Sequence, residues 1–71
     1  MKEINIKSEP IELYKVLKMA SMLSSGGEAK FAIADGEVSV NGKVETKKRK
    51  KIVVGDKVSF DGETVVLKLS E

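Results

Sequence analysis

The 71-residue sequence lacks cysteine, histidine and tryptophan, and it has one proline, one tyrosine and two phenylalanines. Without cysteine, neither disulfides nor a thiolate metal site can hold the fold. Stability must therefore come from packing, backbone hydrogen bonds or self-association. This composition suits a reducing cytoplasm, which is the location we expect. No apolar run is long enough for a signal peptide or a membrane span, so no membrane contact is expected.

Side chains that commonly carry catalysis are scarce as well. With neither histidine nor cysteine, acid–base or covalent chemistry would depend on carboxylates, lysines or hydroxyls. Asp35, Asp56 and Asp61 each stand beside a glycine, where a turn accounts for them, and the acids lack metal-binding spacing. So short a chain also buries too little apolar surface to enclose a deep cavity. We therefore predict no catalytic residue, metal, cofactor or small-molecule substrate.

The net charge of +2 conceals an uneven distribution along the chain. Residues 41–51 hold six basic residues against one acid, a net charge of +5. The other residues hold seven basic residues against ten acids, a net charge of −3. This asymmetry favours a local positive surface that attracts a polyanion. The densest part is the run of residues 47–51, which a solvated, mobile loop would also explain.

The N-terminal part predicts a strand followed by a helix. Polar and apolar residues alternate over residues 3–6, which places the two isoleucines on one face of a strand. Residues 8–10, with the sequence Ser-Glu-Pro, are typical of a helix start. The spacing of apolar residues after them predicts a first helix over residues 10–20.

A second helix is predicted to begin at Ser25 and to end at Gly36. Ser25 and Glu28 have capping-box spacing, in which the serine accepts from the third helical N–H and the glutamate reaches back to the cap. Gly26 and Gly27 occupy the first turn, although glycine weakens a helix by up to about 1 kcal/mol relative to alanine. They indicate either an anion approaching the unpaired backbone amides or close packing against the following hairpin.

The remainder of the chain predicts strands. Val38 and Val40 lead to Asn41-Gly42, a strong hairpin signal because both turn positions accept positive φ, and Val44 resumes the pattern. Further strands are predicted over 52–54, 58–60 and 64–69, separated by Gly-Asp and Asp-Gly turns. We predict one α+β domain over residues 1–71. Two N-terminal helices pack on a small, curved antiparallel sheet that the N-terminal strand can join.

These motifs in this order resemble the RNA-binding domain of ribosomal protein S4, also called the alpha-L motif. The resemblance spans roughly residues 11–60 and is nearest to small standalone bacterial members. It rests on Ser25-Gly26-Gly27-Glu28-Ala29-Lys30, Ile33, Gly36, Val38, Val40-Asn41-Gly42 and Gly55-Asp56. It implies that the second helix and the following hairpin grip structured RNA, often ribosomal RNA.

Many relatives carry an arginine directly after the serine cap and a basic residue directly after the position of Lys30. This chain has Gly26 and Phe31 there, and we expect backbone amides and the basic run to replace those contacts. The resemblance and the charge pattern together give these candidate RNA-binding residues: Ser25, Gly26, Gly27, Lys30, Asn41, Lys43, Lys47, Lys48, Arg49, Lys50 and Lys51.

The predicted function is non-catalytic binding of structured RNA, with shape readout favoured because aromatic residues are few. Tyr14 could stack on a base, but we expect a partly buried ring with a wet hydroxyl. Lys15 and Lys18 could extend the positive surface, but we expect them to form an ordinary solvent-facing helix surface. The sequence leaves the oligomeric state open, with a monomer as the expectation. The alternative is an adaptor that uses a strand edge or the basic run to hold an acidic protein.

Overall fold

The computed structural model describes residues 2–70, which form two helices and seven strands. Their bounds are β1 Lys2–Ile6, β2 Ile11–Glu12, α1 Leu13–Met19, α2 Gly26–Ala34, β3 Val38–Val40, β4 Lys43–Val44, β5 Lys51–Ile52, β6 Lys57–Phe60 and β7 Glu63–Leu69. Five strands form one sheet in the order β1-β7-β6-β3-β4, while β2 and β5 pair separately. The predicted α+β class is confirmed.

The main sheet is antiparallel from β7 through β6 and β3 to β4, as the hairpin signals predicted. Strand β1 joins it alongside β7 and runs parallel, from Lys2 opposite Val65 to Ile6 opposite Leu69. The sheet is therefore mixed. Two parallel strands need a long connection, and here nearly the whole chain, including both helices, lies between the pair.

Both hairpins of the main sheet have two-residue turns. Asn41 and Gly42 take φ values of 52° and 86°, and Asp61 and Gly62 take 51° and 82°. Two successive positive φ values define the turn type that matches the twist of paired strands. The predicted hairpin at Asn41-Gly42 is confirmed.

A single hydrophobic core lies between the helices and the main sheet. Both isoleucines of β1 face it, as their alternation predicted, and α2 buries Ala29, Ala32 and Ile33. The buried residues are Ile4, Ile6, Leu13, Val16, Leu17, Ala20, Ala29, Ala32, Ile33, Val38, Val40, Ile52, Val58, Val65 and Leu67. Within residues 2–70, no helix is long and apolar enough to cross a membrane.

Helix α2 begins and ends close to its predicted limits. Ser25 is the N-cap, and Gly36 follows the helix at a φ of 81°. The N–H of Gly36 donates to the carbonyl of Ile33, and the N–H of Glu37 donates to that of Ala32, both at 3.1 Å. These paired bonds satisfy the last carbonyls of the helix and require the left-handed conformation that glycine supplies.

The first helix was predicted from residue 10, and that start is wrong, because α1 begins at Leu13. Ile11 and Glu12 are extended and pair with β5, with Ile11 opposite the fully buried Ile52. The first amides of α1 then find distant partners. The N–H of Leu13 donates to the carbonyl of Lys50 at 2.9 Å, and that of Tyr14 to the carbonyl of Lys48 at 3.2 Å. A local start signal at the proline could not reveal these partners.

The strand predicted over residues 52–54 is also shorter and shifted, because β5 covers only Lys51–Ile52. The N–H of Val53 donates to the carboxylate of Asp56 at 3.0 Å. The N–H of Val54 donates to the carboxylate of Glu9 at 2.8 Å. Side chains thus take the amides that a sheet partner would need.

Asn41 generates the first testable prediction, because its side chain holds the start of β6. Its Oδ1 accepts from the N–H of Lys57 at 2.9 Å, and its Nδ2 donates to Asp56 at 3.0 Å. Asn41→Ala loses both bonds and places alanine at positive φ, so the free energy of unfolding should fall by about 1–3 kcal/mol.

Asn41→Gly is the matched control, because glycine keeps the turn conformation and loses only the two bonds. Its free energy of unfolding, measured by urea denaturation, should fall by about half as much as that of Asn41→Ala. Equal stability of the wild type and both variants would contradict a structural role for this side chain.

Candidate nucleic-acid interface

Residues 47–51 form a ribbon, here called the basic segment, that lies across the start of α1. All five side chains are exposed. The main chain is bound, because the carbonyls of Lys48 and Lys50 accept from α1 and the N–H of Lys50 donates to the carbonyl of Lys47 at 3.0 Å. The N–H of Lys47 also donates to the Glu45 carboxylate at 3.1 Å. The backbone is therefore hydrogen-bonded at several points while the charged side chains face solvent.

Glu12 pairs with basic side chains beside this positive surface. The Glu12 carboxylate lies 3.5 Å from the ammonium of Lys15 and 3.9 Å from Nε of Arg49. The Arg49 side chain is 70% exposed, so the second pair contributes little to stability in water. Glu12 therefore links α1 to the basic segment and offsets only part of the local charge.

At the start of α2, half of the predicted capping box is present. Ser25 Oγ accepts from the N–H of Glu28 at 3.2 Å. The glutamate was expected to accept from the backbone of the cap, but its carboxylate instead accepts from the hydroxyls of Ser24 and Ser25, at 2.5 and 3.3 Å. The helix start therefore carries a carboxylate, and Gly26 and Gly27 hold amides that the helix itself cannot satisfy.

The structure shows what glycine provides at these two positions. A Cβ on Gly26 would lie 3.8 Å from Cδ of Lys18 and 3.9 Å from Cδ2 of Tyr14, and one on Gly27 would lie 3.9 Å from Ser25 Oγ. These are ordinary van der Waals separations, so alanine fits at both. The alternative of close packing against the hairpin is therefore wrong. Gly26 is half-buried and Gly27 is exposed, so what glycine adds is an uncovered backbone at Gly27.

Tyr14 joins the two parts of the surface. The ammonium of Lys30 lies 4.7 Å from the centroid of its ring, and that of Lys15 lies 5.9 Å away. The ring edge faces Gly26, and the Tyr14 N–H donates to Lys48. A single residue thus contacts both α2 and the basic segment, so the two lie side by side.

The remaining sequence candidates have different positions. Lys43 is exposed on the edge strand β4, from which the chain passes Glu45 and enters the basic segment. Asn41 uses its side chain to hold Asp56 and Lys57, so its position has a structural explanation. Within residues 2–70, no group of three or more histidine, cysteine, aspartate or glutamate side chains could hold a metal ion.

Sequence reasoning did not count Tyr14, Lys15 and Lys18 among the candidates, since it expected a partly buried ring at Tyr14 and an ordinary solvent-facing helix surface at the two lysines. Lys18 follows Tyr14 by four residues and so lies on the same side of α1. That spacing was a usable signal, but only the packing of α2 against α1 brings Gly26 and Lys30 to the same place.

Comparison with known proteins identifies relatives over most of the chain. The S4 domain family matches residues 4–68. The "Putative RNA-binding protein YbcJ" of Escherichia coli (strain K12) is 51% identical over 59 residues, which are 83% of this chain and 84% of that protein. The "Probable ribosome maturation protein RlbA" of Bacillus subtilis (strain 168) is 39% identical over 59 residues, 83% of each chain.

Two solved structures share the architecture. The solution structure of E. coli YbcJ, described as revealing an alpha-L motif involved in RNA-binding, aligns with a TM-score of 0.72 at 46% identity, covering 94% of this chain and 86% of YbcJ. The 30S ribosomal protein S4e of Thermoplasma acidophilum aligns at 0.61 with 24% identity, covering 82% of this chain and 31% of S4e, and shows the fold alone. The family match and the similarity to YbcJ together show that this chain belongs to the S4 domain family and carries its alpha-L motif.

Proposed function

We propose that this protein binds structured RNA, without catalysing a reaction, through the start of α2 and the basic segment. The observation that carries the proposal is the position of Tyr14, whose ring lies under the ammonium of Lys30 and next to the position of Gly26, and whose N–H donates to the carbonyl of Lys48. An uncovered helix start and a row of cations beside it form one surface for a sugar-phosphate chain. The names of YbcJ and RlbA support RNA as the partner.

At the start of α2, the expected contact is a phosphate. The amides of Gly26 and Gly27 point out of the first turn, where the helix also carries a partial positive charge. Neither glycine has a side chain that would hold a phosphate away. The ammonium of Lys30 lies one turn further along the same helix and can neutralise the same or the next phosphate.

The basic segment is proposed to supply affinity rather than sequence preference. Each phosphate neutralised by lysine or arginine releases condensed counterions, so about four to six contacts give a log–log salt slope on the order of −3 to −5. Ser25, the N-cap of α2, and Lys43, exposed on β4, are proposed to add contacts. The exposed lysines would contact phosphates, and such contacts set the position of the RNA without distinguishing its sequence.

Ribosomal RNA is the target class we propose, because RlbA is named as a ribosome maturation protein. Action as a monomer in the cytoplasm is part of the same proposal. Crosslinking in cells followed by sequencing of the attached RNA tests partner class and identity together. Recovery of no RNA above the background of a charge-reversed variant would refute the proposal.

A second candidate function is an adaptor for an acidic protein. Strand β4 is the outer strand of the main sheet, and Val44 on it is 63% exposed, which favours addition of a partner strand. Nuclease treatment separates the two functions. An RNA-binding protein loses its partner on treatment, whereas an adaptor retains a defined protein.

Reversal of the exposed charges is the most direct test of the basic segment. Changing Lys48, Arg49 and Lys50 to glutamate should weaken binding of many structured RNAs alike and reduce the magnitude of the salt slope by about three. Only side chains change, so the carbonyl bonds to α1 persist and the free energy of unfolding should shift by less than about 1 kcal/mol.

Filter binding or fluorescence anisotropy across a salt series measures the effect. The matched control reverses Lys7, Lys57 and Lys68, which are also exposed and change the net charge equally. An equal loss in both triple variants would show that net charge, not this segment, governs binding.

A size series at Gly27 tests the uncovered helix start. Gly27→Ala should leave the fold unchanged or stabilise it by up to about 1 kcal/mol, because alanine fits and favours the helix. RNA affinity should nevertheless fall, and fall further for Gly27→Leu, as the side chain displaces the phosphate. Ala34→Gly, at the other end of α2, is the control that should lower stability and leave RNA affinity unchanged. If alanine and leucine bind as tightly as glycine, the helix start makes no phosphate contact.

Glu28 generates a prediction of opposite sign, because its carboxylate stands at the proposed phosphate position. Glu28→Gln keeps an oxygen that accepts from the hydroxyls of Ser24 and Ser25 but removes the negative charge. RNA affinity should rise several-fold at low salt, while the helix loses about 0.3–1 kcal/mol of favourable dipole interaction. The control is Glu37→Gln, an equal charge change beyond the other end of α2. An equal gain from both variants would contradict a local effect.

A further inference from the structure

The outward side of α1 carries a shallow cavity that the phosphate contacts do not explain. It has a volume of about 310 Å³ and is lined by Tyr14, Lys15, Lys18 and Met19. The surfaces available there are an aromatic ring, a thioether side chain and the carbon stems of two lysines. Its volume is at the lower end of the range, roughly 300–1,000 Å³, in which small-molecule sites fall.

The ring of Tyr14 is held in place before any ligand arrives. It is half-buried against the hydrophobic core, and its edge lies against Gly26. Its backbone is bonded to Lys48, and the ammonium of Lys30 lies over the ring. A ring with restricted motion loses little conformational entropy when a second planar group stacks on it.

The charges around the cavity indicate what kind of ligand it takes. The ammonium groups of Lys15 and Lys30 lie over the ring of Tyr14, and Lys18 lines the same cavity. Lys15 has an acidic partner in Glu12, but among residues 2–70 neither Lys18 nor Lys30 forms a salt bridge. A ligand that combines a planar apolar face with negative charge satisfies both features, and a nucleotide is such a ligand.

We propose that Tyr14 is the stacking platform for one unpaired base of the bound RNA. Lys15, Lys18 and Lys30 hold the phosphates on either side of that base. The proposal deepens and rests on the proposed function, because it specifies which structured RNA is preferred. A regular duplex keeps its bases stacked inside, so the preferred target has a bulged or looped nucleotide beside a helix. Any of the four bases can stack on the ring. The site therefore recognises that a nucleotide is unpaired and does not distinguish its base.

The test compares two RNA hairpins of equal length, one fully paired and one with a single bulged nucleotide. Stacking of one base on an aromatic side chain corresponds to about 5- to 150-fold in affinity, so the wild type should prefer the bulged RNA by a factor in that range. In Tyr14→Leu the ratio of the two affinities should fall to about one, and in Tyr14→Phe it should be retained.

A fluorescent base separates stacking from a general loss of affinity. With 2-aminopurine as the bulged nucleotide, the wild type and Tyr14→Phe should quench its fluorescence on binding, whereas Tyr14→Leu should not. Met19→Glu is a second variant that leaves the core intact, because Met19 is 48% exposed at the cavity. Its carboxylate should abolish the preference and the quenching. Leu69→Glu, an equal charge change at a residue 53% exposed on β7, should alter neither.

Two results overturn the proposal while the proposed function stands. One is a wild type that binds both hairpins alike. The other is a preference that survives in Tyr14→Leu and Met19→Glu, which would leave Tyr14 with the single role of positioning Lys30. A wild type that binds neither hairpin at low salt refutes RNA binding itself, and the stacking site with it.

Discussion

The fold and its positive surface depend on one interaction, in which the backbone of the basic segment caps the N-terminus of helix α1. The carbonyls of Lys48 and Lys50 accept from the first amides of α1, and the buried side chain of Ile52 anchors the segment in the core. Amides at a helix start need partners wherever they are shielded from water. Here the partners come from the most highly charged part of the chain. The same bonds that begin the helix therefore hold five cationic side chains outward in a row.

This arrangement concentrates like charges, which repel one another in the absence of a ligand. The repulsion is limited because the side chains are exposed and salt screens them over about 10 Å. Three carboxylates lie beside this surface: Glu12 between α1 and the basic segment, Glu28 at the start of α2, and Glu45, which accepts from the N–H of Lys47. Each of them offsets part of the positive charge around it. A surface with unsatisfied charge on a rigid backbone is preorganised for a ligand that releases counterions.

Local signals predicted most of the fold, and they failed where partners are distant. The hairpin at Asn41-Gly42 and the end of α2 at Gly36 follow from positive φ, a property of single residues, and both are confirmed. The start of α1 was misplaced because Ile11 and Glu12 pair with a strand some 40 residues later. The explanation that Gly26 and Gly27 pack closely against the hairpin was also wrong. It depended on which residues lie near the two glycines in space, and an added Cβ would lie near Lys18, Tyr14 and Ser25 instead. The candidate RNA contacts remain predictions until binding is measured.

By itself the sequence determined the α+β class, the order of the elements other than β2, and the concentration of charge in residues 47–51. These depend on periodicity, turn chemistry and composition, which are properties of neighbours along the chain. The family followed from the resemblance of a set of motifs in one order. Tertiary structure alone decided that β1 runs parallel to β7, that the basic segment is tied to α1, and that Tyr14 lies between Lys30 and Lys48. Each of these joins residues far apart in sequence. Such contacts form because the free energy gained by burying a shared core and pairing backbone amides outweighs the entropy cost of closing long loops. Neither gain belongs to any short stretch of residues, so local sequence cannot predict it.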